Sequence, residues 1–299
     1  MATSVATKGG ALEASAPGRP TWLQGLIVIL SYALLIAFAL AMILPFIYSI
    51  INSFKLPPEI ASHPERLIPA EFTLRNYKLL TQGAAAVPLW TFNSAIVAAV
   101  IMAGHIAFDS LAGYALARLN FPGRGLIFLA ILGTMMIPGI VLIIPRFIVL
   151  KQLGWLGTYQ GLMVPGLADA FGIFLMKQFF EAIPGEIEEA AKIDGASRFE
   201  MFWRIVMPMA GPALAALAIF GFQGSWNDLI GPLIVVANNR QLWTLPLGLA
   251  LLKGGAVGST LDWGLFLAGS LLTTLPMAFV FLFFQRYFIE GVSYSGLKG

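Results

Sequence analysis

Long apolar stretches without charge are the feature that most limits what this chain can fold into. The first runs from Leu23 to Ile51 and meets no charged residue before Lys55. A helix needs about 20 apolar residues to cross a bilayer. Only 11% of the 299 residues are charged, against about 25% in an ordinary soluble domain. The chain is therefore predicted to be an all-α integral membrane protein, because a chain in lipid must satisfy its backbone internally.

Six stretches of this kind predict six helical crossings. The first exceeds the roughly 7–15 residues of a signal-peptide core, so a retained helix is favoured over a cleaved signal ending near Ala37-Phe38-Ala39. The others span approximately residues 89–116, 126–150, 162–176, 210–236 and 263–284. An even number places both termini on one side, and ten of the 18 Lys and Arg residues fall there. The positive-inside bias therefore favours cytoplasmic termini by a narrow margin.

The segment Pro184–Pro208, called the island below, is a charged and helix-forming insert among the apolar stretches. Pro184 can open a helix at its first turn, where its missing N–H costs nothing. Negative charge near a helix start complements the helix dipole. Three glutamates occupy the following positions: Glu186, Glu188 and Glu189. The first half of the island is therefore predicted to be a short helix.

The second half of the island carries the signals for a turn and a second helix. Gly195 permits the positive φ that ends a helix and turns the chain. Ser197 followed by Glu200 has the spacing of a capping box. The small side chains of Ala190 and Ala191 would let another protein's surface approach the first helix closely. An ordinary solvated loop with good caps is the alternative interpretation of these signals alone.

The spacing within the island resembles the EAA loop of the permease subunits of binding-protein-dependent ABC importers. The residues that carry the resemblance are Glu189, Ala190, Ala191, Gly195, Ile205 and Pro208, with Met207 where the family usually has Leu. Other segments resemble carbohydrate permeases of the maltose type: residues 111–118 with 121–124, residues 226–233, and residues 285–299 with their terminal Lys-Gly. The similarity covers roughly Asn93 to Gly299.

The resemblance implies a six-transmembrane-helix type I ABC importer permease fold with a cytoplasmic coupling helix. In that family the loop docks onto the ATPase subunit, which gives these expected coupling residues: Glu189, Ala190, Ala191, Asp194, Gly195, Ile205 and Pro208. The C-terminal residues Ser295, Lys298 and Gly299 would contact the same ATPase. The chain would form the translocation pathway for a sugar or oligosaccharide in a bacterial-type inner membrane.

The resemblance also implies partners, and together with the composition of the chain it gives a regional organisation. The partners would be a second homologous permease subunit, two ATPase subunits, an extracytoplasmic solute-binding protein and membrane lipid. ATP and Mg would bind the ATPase subunits and not this chain, which has no G-x-x-x-x-G-K-[ST] phosphate loop. The expected regions are a flexible cytoplasmic tail (1–20), the first helix with an extracytoplasmic loop (21–88), the core permease domain (89–285) and a cytoplasmic tail (286–299).

Polar residues within the apolar stretches are candidates for the solute pathway. Trp226, Asn227 and Asp228 precede Gly231 and Pro232, which are expected to break the fifth helix. Transporters often place their pathway at a broken helix near mid-membrane. Hydrogen bonding between helices, without solute contact, explains the same residues equally well.

Two further aspartates lie in apolar surroundings. Asp109 is close to the exit of the second helix and to Arg118, which favours a structural role. For Asp169 the structural and the pathway interpretations both remain open.

Other functional classes explain the sequence less well. A stand-alone secondary transporter or channel would account for six helices, but not for the island, and it predicts repeats or dense membrane charges that the sequence lacks. A membrane-embedded enzyme has little support: the chain has no cysteine, no paired histidines and no nucleophile–base pair, so no catalytic or metal-ligating residue is predicted. The basic residues are scattered singly, which gives no indication of nucleic-acid binding.

Overall fold

The computed structural model describes residues 21–82, 86–253 and 262–295, and all regular structure within these ranges is helical. The chain divides into two units, residues 1–49 and residues 50–299. In the first unit, the described residues belong to the long helix α1 (Thr21–Ser53). Its apolar composition, with a mean hydropathy of 2.8 over its most apolar 18-residue window, is that of a membrane-spanning helix.

The second unit opens with a polar loop that contains two short helices, α2 (Pro57–Ser62) and α3 (Arg75–Gln82). Inside this loop the Lys55 ammonium is buried and donates to the Arg66 carbonyl at 2.6 Å. The segment is therefore a folded loop between the first two apolar stretches, as its charge predicts.

The apolar stretches that follow form the next group of helices. Their bounds are α4 (Val87–Gly104), α5 (Ser110–Arg118), α6 (Arg124–Met135), α7 (Ile143–Gln152), α8 (Tyr159–Met163) and α9 (Ala170–Ala182). A π-helical turn, His105–Asp109, joins α4 to α5, so that these two helices form one continuous span.

The island and the C-terminal third form the remaining helices. Their bounds are α10 (Gly185–Ile193), α11 (Arg198–Glu200), α12 (Met207–Met209), α13 (Gly211–Trp226), α14 (Ile230–Val236), α15 (Leu245–Lys253) and α16 (Trp263–Ser295).

Four helical segments in the described ranges are long and apolar enough to cross a bilayer: Gly25–Ser53, Val87–Arg118, Tyr159–Ala182 and Trp263–Gln285. Two bent pairs raise the number to six if each pair is one crossing. Arg124–Met135 meets Gly139–Gln152 at 94°, and Arg198–Met209 meets Gly211–Trp226 at 82°. Four of the six predicted segments are therefore present as continuous spans. The segment near 126–150 is sharply bent, and the second bent pair runs from Arg198 in the island to Trp226, whereas the predicted segment was 210–236.

Buried side chains of the second unit form two clusters. The main core contains Trp90 and Trp226 and draws on α4, α13, α15 and α16. The island core lies between the island and the ends of the neighbouring helices, and consists of Tyr114, Met176, Phe180, Ile183, Phe202, Val206, Met207, Ala210, Ala213 and Leu217. The island is therefore part of the packed structure and not a loose connection.

Candidate functional site

The island folds as two helical segments separated by a tight turn. Helix α10 begins directly after Pro184, and Gly195 has a φ of +82°. The Ser197 hydroxyl accepts from the Glu200 N–H at 3.2 Å, and the Glu200 carboxylate accepts from the Ser197 N–H at 3.0 Å. This reciprocal pair is the predicted capping box, so the local sequence signals act as expected.

A buried ion pair fastens the island to the end of α5. Glu188 is only 7% exposed, and its Oε1 lies 3.1 Å from the Arg118 Nε. The Tyr114 hydroxyl donates to the other oxygen of the same carboxylate at 3.4 Å. The Arg118 guanidinium also donates to the carbonyls of Phe180, at 2.6 Å, and Ile183. One arginine therefore connects α5, the end of α9 and α10.

Aromatic packing reinforces this connection. The Tyr114 ring lies 5.1 Å from the Phe202 ring and 5.8 Å from the Phe180 ring, measured between centroids. All three side chains are buried, and tilted or edge-to-face pairs of this kind stabilise more than their area alone. The island consequently has a defined orientation relative to α5 and α9.

The structure divides the predicted coupling residues between two faces. The residues exposed at the protein surface are Glu189, Ala190, Asp194, Gly195 and Pro208. Ile205 is half-buried, and Ala191 is buried against the protein. The expected two-alanine patch is therefore not formed, because the helix turns Ala191 inward and leaves only Ala190 available to a partner.

Three large apolar side chains, which the sequence analysis did not single out, extend the outward face. Ile193 is 87% exposed, Phe199 69% and Trp203 58%. The sequence contained a signal for this surface, because these large apolar residues lie within an otherwise charged segment. Exposed hydrophobic patches on a well-packed element are typical of protein–protein contacts.

The constraint at Gly195 is conformational and not steric. A Cβ built at this position would have no protein atom within 4 Å, but φ is +82°. Side chains are strained at such a φ, so glycine is favoured here for the turn itself.

The expected pathway residues Trp226, Asn227 and Asp228 have different environments. Trp226 is 1% exposed, donates to the Thr273 carbonyl at 3.0 Å and stacks on Phe222 at 5.4 Å. It therefore packs in the main core. Asn227 is exposed at the end of α13, and the Asp228 carboxylate accepts from the Gly231 N–H at 3.0 Å.

The position of the helix break differs from the prediction. The break lies at Asn227–Leu229, between α13 and α14, whereas Gly231 and Pro232 lie inside α14. The proline is tolerated there because it occupies the first turn, where no helical N–H bond is lost. At the break the Asn227 side chain is exposed and Asp228 is half-buried.

A cavity of about 740 Å³ lies beside this break. Its wall is mostly apolar and comes from α7 with its flanking segments, from the turn at Val164–Gly166, and from α14 with the break before it. Arg146 and Asp228 are the charged residues that line it. Binding sites for small molecules commonly combine such an apolar wall with a few converging polar groups.

A second polar cluster joins the π-helical turn to α9. The His105 Nδ1 lies 2.6 Å from the Asp109 Oδ2, and the Asp109 Oδ1 accepts from the Asp169 N–H at 3.1 Å. The Asp169 carboxylate in turn caps α9 by accepting from the Gly172 N–H at 2.6 Å. The structural role expected for Asp109 is observed, with His105 as the side-chain partner and not Arg118. Donor atoms of the three residues lie within 4.8 Å of one another, a spacing that could hold a metal ion.

The C-terminal contact residues are only partly within the described structure. Helix α16 extends to Ser295. Lys298 and Gly299 lie outside the described residues.

Sequence comparison shows that this chain is similar to transport permeases. A family model described as "Binding-protein-dependent transport system inner membrane component" matches residues 109–294. The arabinooligosaccharides transport system permease protein AraQ of Halalkalibacterium halodurans is 36% identical over 276 residues, covering 91% of this chain and 98% of that protein. The trehalose/maltose transport system permease protein MalG of Thermococcus litoralis is 34% identical over 267 residues, covering 88% and 94%.

The fold is also found in a solved structure. It is a bacterial ABC transporter involved in the import of the acidic polysaccharide alginate. The match has a TM-score of 0.75 at 23% identity, and covers 91% of this chain and 100% of that chain.

Proposed function

This chain belongs to the family of binding-protein-dependent transport system inner membrane components, and from that premise we propose that its island couples ATP hydrolysis on a partner subunit to a pathway for a sugar or oligosaccharide. The chain is a multi-pass membrane permease subunit of an ABC importer and not an enzyme. ATP and Mg bind the partner ATPase, and this chain supplies the membrane path and the surface that receives the motion.

The outward face of the island is the observation that carries this proposal. Ile193, Phe199 and Trp203 are exposed on the same island as Glu189 and Ala190. Transmission of motion requires that such a surface be attached rigidly to the membrane helices. The Arg118–Glu188 pair and the aromatic contacts of the island core provide that attachment.

The assembly contains further components. A second homologous permease would complete the pathway. One ATPase subunit would bind the island of this chain, and another would bind the corresponding segment of the second permease. An extracytoplasmic binding protein would deliver the solute. The tail residues Ser295, Lys298 and Gly299 would add a contact to the ATPase.

A carbohydrate is the proposed solute. The relatives AraQ and MalG are named for transport of arabinooligosaccharides and of trehalose or maltose. The cavity of about 740 Å³ falls within the roughly 300–1,000 Å³ typical of small-molecule sites. Its apolar wall suits the carbon framework of a sugar, and Arg146 and Asp228 suit its hydroxyl groups.

The proposed orientation has both termini and the island in the cytoplasm. The chain has no cysteine, so single cysteines can report topology without background. In intact cells, Ser197→Cys on the island should resist an impermeant thiol reagent, whereas Ile68→Cys in the exposed loop should react. Ready labelling of Ser197→Cys from outside the cell would show that the island faces the extracytoplasmic side, where it could not contact the ATPase.

Two substitutions on the island test the coupling. Gly195→Asp strains the turn and Glu189→Lys reverses an exposed charge, and neither alters a buried contact. Each variant should reach the membrane in normal amount but lose the co-purifying ATPase and the uptake of labelled oligosaccharide.

Gly123→Asp is the matched control for backbone strain. Gly123 also has a φ of +82°, and a Cβ added there would meet no atom within 4 Å, but this glycine lies outside the island. The variant should keep the ATPase bound. Normal ATPase binding and uptake in Gly195→Asp would mean that the island is only a well-capped loop.

A further inference from the structure

A small niche adjoins the cavity at the helix break. Its volume of about 10 Å³ is close to the smallest space that holds one water-sized group. Four polar side chains line it, from α7, α13, the break and the segment before α15: Arg146, Ser225, Asp228 and Thr244. Arg146 and Asp228 also line the large cavity, so the two spaces share a charged wall.

Several polar atoms of the niche lack a partner. In the described part of the chain, the Arg146 Nε, the Ser225 Oγ and the Thr244 Oγ1 are buried and make no hydrogen bond. Thr244 is only 3% exposed as a residue. A buried polar group without a partner is costly, and such groups in native proteins are few. Three residues that line the same niche each carry such a group, and this points to a further polar group in the niche.

The charges define what that group can be. Neither Arg146 nor Asp228 makes an ion pair within 4.0 Å in the described ranges. Arginine only donates hydrogen bonds and an ionised aspartate only accepts them. A hydroxyl group does both, and it has the size of the niche. An anion would face Asp228 and a cation would face Arg146, so a neutral ligand is favoured.

We infer that the niche binds one hydroxyl group of a neutral carbohydrate while its carbon framework occupies the large cavity. Ser225 and Thr244 bond to that hydroxyl, Arg146 donates to it or to its neighbour, and Asp228 accepts from an adjacent hydroxyl. This permease subunit thereby selects the solute itself, beyond any selection by the binding protein. The inference rests on the carbohydrate function proposed above.

Transport by the complete complex tests the inference. The complex, with its ATPase and binding protein, is reconstituted in proteoliposomes and supplied with arabinotriose or maltotriose and their monodeoxy analogues. The wild type should import at least one parent sugar and discriminate against one analogue. Ser225→Ala and Thr244→Val should lower the sugar imported per ATP by about 3- to 10-fold, the value of one hydrogen bond. Both should also lose that discrimination.

Two controls separate solute contact from a structural role. Thr244→Ser keeps the hydroxyl and should retain discrimination. Ser110→Ala removes another buried hydroxyl that has no partner in the described chain but does not line the niche, and it should behave as wild type.

The outcomes distinguish this inference from the proposed function. Unchanged import and discrimination in Ser225→Ala and Thr244→Val would mean that the niche holds a water only, which overturns the inference alone. Loss of complex yield and ATPase stimulation in step with import would make the residues structural, with the same consequence. If the wild type imports neither of these nor any other sugar of a panel of neutral mono- and oligosaccharides while the ATPase still co-purifies, the carbohydrate function fails and this inference fails with it.

Discussion

The island and the cavity differ in how their charged side chains are paired. Beneath the island, the Glu188 carboxylate lies 3.1 Å from the Arg118 Nε and accepts from the Tyr114 hydroxyl, beside an aromatic cluster. Beside the cavity, Arg146 and Asp228 make no ion pair within 4.0 Å in the described ranges. An element that transmits motion must keep its shape, whereas a pathway must exchange hydrogen bonds with a moving solute. The difference supports the proposed roles, with transmission at the island and solute contact at the cavity.

The largest expected effect comes from breaking the attachment of the island. Arg118→Ala leaves the buried Glu188 without its partner and removes two bonds to the end of α9. Removal of one member of a buried ion pair costs about 3–5 kcal/mol. The variant should show a clear fall in thermal unfolding temperature in detergent and should lose the ATPase.

An exposed pair on the same island provides the comparison. Arg204 lies 3.8 Å from Glu200 and is largely exposed, so Arg204→Ala should change the unfolding temperature little. Equal falls in unfolding temperature for Arg118→Ala and Arg204→Ala would show that Arg118 stabilises the island no more than the exposed Arg204 does.

A smaller effect is expected on the outward face. Trp203→Ala removes an exposed side chain, so the unfolding temperature should stay near that of the wild type. Exposed aromatic residues are frequent hot spots, and the loss should weaken ATPase binding by at least about 1–2 kcal/mol, or roughly tenfold. Titration of the purified ATPase onto the permease measures this change. Lower unfolding temperature with unchanged ATPase affinity would instead place Trp203 in the packing of the island.

The smallest effect separates the main core from the pathway. Trp226→Phe keeps the stacking on Phe222 and loses the hydrogen bond to the Thr273 carbonyl. The expected cost is about 1 kcal/mol of stability, with no change in sugar imported per ATP. A fall in sugar imported per ATP at unchanged stability would instead indicate that Trp226 belongs to the solute pathway.

Local signals in the sequence were sufficient for much of this structure. The turn at Gly195 and the capping box of Ser197 with Glu200 depend on neighbouring residues, and the structure contains both. Four of the six predicted apolar stretches are continuous spans in the described residues. The resemblance in the island and in residues 226–233 likewise pointed to the family that the comparisons show.

Contacts between distant segments could not be predicted in the same way. The pairing of Arg118 with Glu188 joins residues far apart in sequence, and so does the bond from the Asp169 N–H to Asp109. The inward turn of Ala191 and the burial of Trp226 likewise depend on which helices pack together. Periodicity shows that a residue lies in a helix, but it does not show which neighbour that helix meets.

Covalent cross-linking of the island to the ATPase tests the central claim most directly. A single cysteine replaces Ile193 on the outward face, or, as the control, Ile68 in the loop that the proposed topology places on the opposite side of the membrane, in a chain without other cysteines. With a short bifunctional thiol reagent in membranes that contain the assembled complex, Ile193→Cys should give an adduct with the ATPase and Ile68→Cys should give none. Absence of the Ile193→Cys adduct in a complex that still imports sugar would contradict the assignment of the island as the coupling surface.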